Sequence, residues 1–576
     1  MSDPERPLPA PLPQRRSRPL HRYGPVVGVA AVLAVIAGFS SIGARHDASK
    51  STTAAVVSRV DTSAAKKIPI TYNQALARAN VDKYNFTSDG KCDTRVGRLK
   101  IPSVYAPPCL AATSKDGVGK ATYPGVTATT IKIVYYLPAA GGITSQLQAF
   151  LDPQAKQDET FNDFLELFDK RFQMWGRKVV VVPFHASGID SDVAAARADA
   201  LKVANDIKPF ASIGGPQLTP AYADELSRNK TLCINCGLAV PDSYFQQNAP
   251  YMWGPLATPE QFLINVGDYL TYRLQGRKAS HGGPDVVDKT RVFGIVHFEQ
   301  DPPVFQQVSK VILEQGKKRG FNPAVNETYI LDPPKLPERA ATIIAKMKAA
   351  GVTTIVFLGD PLMPISLTNE ATKQNYFPEW IDTGTVLTDT TTLGRAYNPE
   401  QWKHAFGLSN LAVRTPLEQQ EGYHLYQWHF GKPPPAPKTV GLLHQSLFLL
   451  FLGIDMAGPD LTPQTFQAGM FNYPPSGGGV TRPRISFGTG LYANPDYQAI
   501  DDSTEIWWDA TAKGKNEQGG DGTGLWRYSD GGKRFLPYQM PHTPDHAFVQ
   551  KGSVTDFPIA PPEDRPPQYP STRKGG

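Results

Sequence analysis

The chain has 576 residues, 40% of them hydrophobic and 19% charged, which describes a globular protein of two or more domains and excludes a disordered one. The net charge of +6 is mild and much of the basic excess sits in the N-terminal tail, so composition gives no reason to propose a nucleic-acid surface. Proline reaches 53 residues and gathers in "PERPLPAPLPQ" and "PIAPPEDRPPQYP", which predicts extended, poorly ordered ends.

Residues 1–22 form a basic, proline-rich tail. Residues 23–44, "YGPVVGVAAVLAVIAGFSSIGA", are an uncharged run matching the ~20 residues that a membrane-spanning helix needs. Arg15, Arg16, Arg18 and Arg22 precede it, which predicts a cytoplasmic tail and export of the rest. An uncleaved transmembrane anchor and a signal sequence cleaved near Ser41 and Gly43 both fit. Either one puts the bulk of the chain outside the cytoplasm.

Residues 45–125 read as a linker and an extension that holds Cys92 and Cys109. In 126–257, "IKIVYYLP" reads as a buried strand, and the helix after it places Phe161, Phe164, Leu165, Phe168 and Phe172 on one face. "KVVVVPF", "PFASIGG" and "TLCIN" continue as strands, with the helices "DVAAARADALKVANDI" and "TPAYADELSR" between them. Strands that are apolar throughout, alternating with amphipathic helices, predict a parallel sheet covered on both faces. The pattern restarts in 258–385: Thr258, Pro259 and Gln261 form a helix-start signature, and "RVFGIVHF", "TTIVFLG" and "EWIDTG" are the next strands. Between them, Val304, Val308, Val311 and Ile312 repeat at helical spacing. Residues 386–550 are expected to pack helices back on both lobes and to end in aromatic β-structure with Gly-rich turns, before the Pro-rich tail of 551–576. The apolar run "VGLLHQSLFLLFLGIDMAG" carries His444, Gln445, Ser446 and Asp455, so it reads as a buried helix and not a second span.

Catalytic motifs are absent from the sequence: it has no Gly-x-Ser-x-Gly, no His-Glu-x-x-His and no Walker-type loop. His424 and His429 lie five apart, which is not metal-pair spacing, and "DATAKGKNEQGGDGTG" lacks the alternating ligands of a calcium loop. Neither an enzyme nor a cofactor or metal is therefore expected. Four cysteines outside the cytoplasm favour disulfides and permit three pairings. A Cys92–Cys109 bridge would close a loop with little core of its own and contribute roughly 3 kcal/mol. Cys233 and Cys236 would then pair locally, which requires the strand to turn at about Ile234–Asn235, because residues three apart in a straight strand lie about 10 Å apart. The same spacing could be a redox dithiol, but a strand precedes it here where a helix start is needed.

The order of elements resembles the type I periplasmic binding proteins, in the branched-chain amino-acid-binding group of ABC-transporter receptors. "GVTATTIKIVYYLP", "ARADALKVANDIKPFASIGGPQLTPAYADEL", "DKTRVFGIVHFEQD" and "IIAKMKAAGVTTIVFLGDPLMPISLTNEATKQNYFPEWIDTG" carry the similarity. The resemblance implies an α/β fold of two Rossmann-like lobes joined by a three-stranded hinge that closes on a small molecule, with an ABC permease as partner. Strand ends then supply the candidate ligand-binding residues: Gln217, Leu218, Thr219, Gly237, Leu238 and Ala239 from the first lobe, and Phe298, Glu299, Asp301, Gly359, Asp360, Thr383 and Gly384 from the second. Gly359-Asp360-Pro361 reads equally as a turn with a helix cap. Amino-acid-binding members place an acidic residue after the strand matching "EWIDTG"; here "TGTV" follows and Asp382 falls early, so an aromatic or other carboxylate-bearing ligand is equally allowed. A sensing or surface-interaction module on the same fold is the alternative function.

Overall fold

The computed structural model describes residues 63–571, except 88, 114–116, 142–150, 217–218, 238–239, 300–303 and 518. The apolar run of 23–44 lies outside the described residues.

The first lobe is a five-stranded parallel sheet of β1 (Thr130–Leu137), β2 (Lys178–His185), β3 (Ala211–Ile213), β4 (Leu232–Ile234) and β5 (Met252–Trp253) in the order β2-β1-β3-β4-β5. Parallel neighbours need crossover helices, and α1 (Gln154–Arg171), α2 (Val193–Lys202), α3 (Ala221–Arg228) and α4 (Asp242–Gln247) supply them. The phenylalanine stripe of α1 is buried in the core, with Phe161, Phe164 and Phe168 among the most completely buried side chains.

The second lobe repeats the plan. After α5 (Pro259–Asp268) come β6 (Phe293–Glu299), α6 (Val304–Lys318), β7 (Val325–Ile330), α7 (Leu336–Ala349), β8 (Thr354–Leu358), α8 (Met363–Lys373), β9 (Glu379–Asp382) and β10 (Ala405–Ser409). These strands run parallel in the order β7-β6-β8-β9-β10, the same as the first sheet. Antiparallel β11 (Ser503–Lys515) and β12 (Asp521–Tyr528) extend it beyond β10, and β13 (Arg534–Phe535) pairs with β11. The helix-start signature at α5 is realised as a capping box, with Gln261 N donating to Thr258 Oγ1 at 3.2 Å and Thr258 N to Gln261 Oε1 at 2.9 Å.

From β10 the chain returns to the first lobe as α9 (Glu421–Phe430), α10 (Val440–Ala457) and α11 (Pro463–Phe471), whose apolar faces join the first core. Of the described residues, α10 is the helix long and apolar enough to cross a membrane, but 72% of it is buried inside the protein against α1, α9 and α11. It is a core helix.

The lobes are therefore joined three times: 254–258 after β5, 410–420 after β10, and 498–502 before β11. The first and third crossings pair directly, Gly254 N donating to Tyr497 O at 3.1 Å. Arg534 ties the second and third together. It is 2% exposed, donates to the carbonyls of Leu411, Asn410 and Asp502 at 2.8–3.0 Å, and pairs with the Asp502 carboxylate at 2.9 Å.

Two segments outside the lobes are packed. The extension is closed by the Cys92–Cys109 disulfide, and its Leu99, Ile101 and Leu110 enter the first core. Composition predicts a poorly ordered C-terminal tail, yet 551–571 is tied down along its length. Val554 pairs with Tyr528 of the second lobe, and Phe557 N donates to Arg414 O at 2.8 Å on the second crossing. Asp564 accepts from Thr481 N and Oγ1 at 2.6 and 2.7 Å, while Tyr569 O accepts from Trp428 Nε1 of α9 at 3.0 Å. Specific acceptors at those positions hold an extended chain that proline content alone would leave free.

Candidate functional site

In both sheets the chain starts in the middle, adds one neighbour on one side, then reverses. The reversal leaves a crevice beyond the C-terminal ends of the two strands that flank the starting point. In the first lobe those are β1 and β3; in the second, β6 and β8. The described residues at these strand ends, and at those of the neighbouring strands, are the walls of the candidate site.

In the first lobe, Gly214 N closes the end of β3 by donating to Ile234 O at 3.0 Å. Thr219, buried, accepts from Ala221 N at 3.2 Å and fixes the entry to α3. Beyond β4, Asn235 turns the chain at φ +57°, held by its own N–H to Trp253 O at 2.9 Å and its side chain to Ser446 Oγ at 3.0 Å. That turn brings Cys233 and Cys236 to a Cα separation of 5.7 Å in a disulfide. Both cysteines are fully buried, whereas a redox pair needs an accessible sulfur. The bridge is a brace for the loop, and open space lies where a side chain at Gly237 would point. Gln217, Leu218, Leu238 and Ala239 lie outside the described residues.

In the second lobe, Phe298, Gly359 and Asp360 come together around a residue that sequence reading missed, Tyr329 on β7. Its ring packs on Phe298 with centroids 5.6 Å apart, and its hydroxyl donates to the Asp360 carboxylate. A Cβ at residue 359 would lie 2.3 Å from that hydroxyl, so only glycine lets Tyr329 reach Asp360. Asp360 Oδ1 also accepts from Leu362 N and Met363 N at 2.7 and 3.2 Å, capping the start of α8. Asp360 thus acts as a helix cap with its lone pairs used internally. Burial raises its pKa.

Thr383 Oγ1 donates to Phe357 O at 2.7 Å, and Gly384 takes φ +63°, so that its N–H reaches Asp382 Oδ1 at 2.8 Å. Asp382 also accepts from Thr388 Oγ1 at 2.8 Å and is pushed up to about 6 by burial. Asp389, likewise buried, is raised by burial and by the Asp382 charge beside it. Tyr329, Thr388 and Asp389 carry no local sequence signal; their partners are tens of residues away or reached through a tight turn. Glu299 is exposed at the end of β6, in contrast to the buried Asp360 and Asp382. Asp301 lies outside the described residues.

Where the lobes meet, Asp242 N at the start of α4 donates to Glu260 Oε2 at the start of α5, 3.2 Å away. Burial pushes Glu260 up to about 7 and raises Asp242 as well. Asn494 Nδ2 donates to Asp242 Oδ2 at 3.0 Å, and Gln261 Nε2 to Asp496 Oδ1 at 2.7 Å, linking the run before the third crossing to both helices.

No protein-family model matches the chain, and no curated protein sequence matches it. Solved structures similar to it include a solute binding protein of an ABC transporter from Rhodopseudomonas palustris BisB5 in complex with 3,4-dihydroxybenzoic acid, at 14% identity over 71% of this chain and 97% of that chain, TM-score 0.43. The branched-chain amino acid transporter substrate binding protein LivJ from Streptococcus pneumoniae, in complex with isoleucine, is similar at 13% identity over 71% of this chain and 100% of that chain, TM-score 0.44. A fatty acid ABC transporter substrate-binding protein from Thermomonospora curvata is similar at 17% identity over 75% of this chain and 99% of that chain, TM-score 0.45. We assign none of their ligands to this chain at that similarity.

Proposed function

We propose that the chain is an extracytoplasmic solute receptor that holds a small carboxylate-bearing molecule, an amino acid among them, between its lobes and delivers it to the permease of an ABC importer, with the run 23–44 as anchor or export signal. The observation that carries this reading is the pair of sheets of identical strand order joined by three crossings. Two reversals of strand order give two crevices, and a hinge lets a partner distinguish loaded from empty receptor. The N-terminus of α3, which follows β3, carries the positive end of a helix dipole suited to a carboxylate, and Glu299 is the exposed group suited to an ammonium. Thermal unfolding of the purified chain against amino acids, aromatic acids and other small carboxylates tests it. A ligand at a hundred times its Kd stabilises by about 2.7 kcal/mol and raises Tm. If no member of the panel raises Tm, the receptor reading fails.

The C-terminal tail favours a second reading, a sensing or surface-interaction module on the same fold, because it fastens the second lobe to the first through Tyr528, Arg414, Thr481 and Trp428. Small-angle scattering with a saturating ligand separates the two: closure reduces the radius of gyration, and a module with fixed lobes keeps it.

A further inference from the structure

Between α11 and the third crossing the chain makes an excursion through 472–497, folded on itself by the bridges Ser476–Ile485 and Gly488–Asp496. It lines a half-open cavity of about 350 Å³, within the range of small-molecule sites. Phe471, Tyr473 and Phe487, all packed on the first core, give it aromatic walls, and Leu536, next to β13 of the second lobe, closes another side. Arg484, Ser486, Thr489, Asp496 and Gln539 are the polar side chains of its lining. The cavity is formed by residues other than those at the strand ends described above.

Asp496 is 2% exposed, and its Oδ1 is fixed by Gln261 Nε2 at 2.7 Å and Gln498 N at 2.8 Å. Its Oδ2 and the Oδ1 of buried Asp501 find no donor among the described residues. Burial first, and then the Asp501 charge beside it, raise the Asp496 carboxyl, so the pair keeps a proton. Ser486 Oγ donates to Asp501 Oδ2 at 2.6 Å, and Arg484 Nε stands 3.5 Å from the same oxygen. Asp502 is neutralised by Arg534. Asp242 also faces Asp496, and Tyr492 lies beside the pair. With one proton held the pair carries a single negative charge, which Arg484 balances. A ligand that brings its own positive charge can take the place of that proton and leave the site neutral.

We propose that this cavity is a second ligand site and that it takes a small organic ammonium ion, with Asp496 as the counter-ion and Phe471, Tyr473 and Phe487 as the aromatic faces. Aromatic walls with a buried carboxylate are the chemistry that recognises alkylammonium groups. Because the cation displaces the held proton, one proton leaves to buffer for each ligand bound. Burial raises the pKa of both carboxyls, that of Asp501 to about 7, so the proton competes with the ligand throughout the acid range.

Titration calorimetry of the purified full-length chain with n-butylammonium and tetramethylammonium chloride tests the site. We expect both to bind, 1-butanol, the neutral isostere of n-butylammonium, not to bind, and the heats in phosphate and Tris buffers to report release of about one proton. Affinity for n-butylammonium should strengthen about tenfold per pH unit from pH 5 to 7. Asp496→Asn should abolish binding and its pH dependence. Phe471→Leu, on a half-buried wall, should weaken tetramethylammonium about threefold or more and keeps the test usable if Asp496→Asn does not fold. No heat with either cation at tens of millimolar, affinity independent of pH, or unchanged binding to folded Asp496→Asn each overturns the proposal.

Discussion

The contact between α4 and α5 is where the first lobe touches the second through a titrating group, so Glu260→Gln is the most direct perturbation of the junction. The Glu260 carboxyl accepts from Asp242 N at 3.2 Å and is pushed up to about 7 from its ordinary 4.5, first by burial. Between those values the folded protein holds a proton that the unfolded chain has released. Stability therefore falls as pH rises, by about 1.4 kcal/mol per pH unit, and the loss is complete above about pH 7. Across the range this amounts to about 3 kcal/mol, trimmed by the water that reaches a half-buried side chain. The glutamine amide keeps an acceptor oxygen for Asp242 N and has nothing to titrate. Urea unfolding of both proteins from about pH 4.5 to 8 should give equal midpoints at the acid end and a more stable Glu260→Gln at the neutral end. Asp382 and Asp501 also titrate in this window, pushed up to about 6 and about 7, and the difference between the two proteins removes their common slope. A difference that stays constant with pH, or that favours wild type as pH rises, refutes the reasoning.

Arg534→Met should cost about 3–5 kcal/mol, because it strands the buried Asp502 carboxylate and three carbonyls of the crossings; the urea midpoint reads it. Replacing Cys92 and Cys109 by serine should cost about 3 kcal/mol, whereas the shorter Cys233–Cys236 loop is worth about 2 kcal/mol, a ranking that thermal unfolding of the two double mutants checks. Ending the chain at residue 552 removes the pairing of Val554 with Tyr528 and the bonds to Arg414, Thr481 and Trp428, and should speed limited proteolysis in the crossing 410–420; an unchanged cleavage rate would count against the tail as a brace.

The lobes were legible because their signals are local. The stripe Phe161, Phe164, Phe168 has helical spacing, and Thr258-Pro259-Gln261 carries its own cap chemistry within four residues. The turn at Asn235 follows from the geometry that a bridge three residues apart imposes. Site chemistry was less legible. Asp360 reads in sequence as ligand group or helix cap; the bonds it makes to Leu362 N and Met363 N are cap bonds, and Tyr329, from a different strand, is placed against it only by folding. The side chain that bonds to Asp496, Gln261, belongs to a distant element. The C-terminal tail shows the limit of composition: proline predicts an extended chain, and it is extended, but Asp564 and the Tyr569 carbonyl find partners in Thr481 and Trp428 that no count of prolines reveals.

The extension and the tail leave the protein from one side. Leu110 N donates to Gln173 Oε1 at 2.8 Å and Lys67 pairs with Asp460 at 2.9 Å, fastening the extension to the first lobe, while Tyr569 Oη donates to Asp93 Oδ2 at 3.1 Å and closes the tail onto the extension. Any tether acting on residues before 63 therefore pulls on the first lobe and makes it the stator. The second lobe, joined to it by the three crossings, the α4–α5 contact and the brace of the tail, would be the rotor if the lobes close. A reporter attached at Tyr569, which bonds to Asp93 of the extension, would stay silent to hinge motion; one placed on the far lobe, at exposed Lys310 or Lys318 of α6, would sweep the full arc.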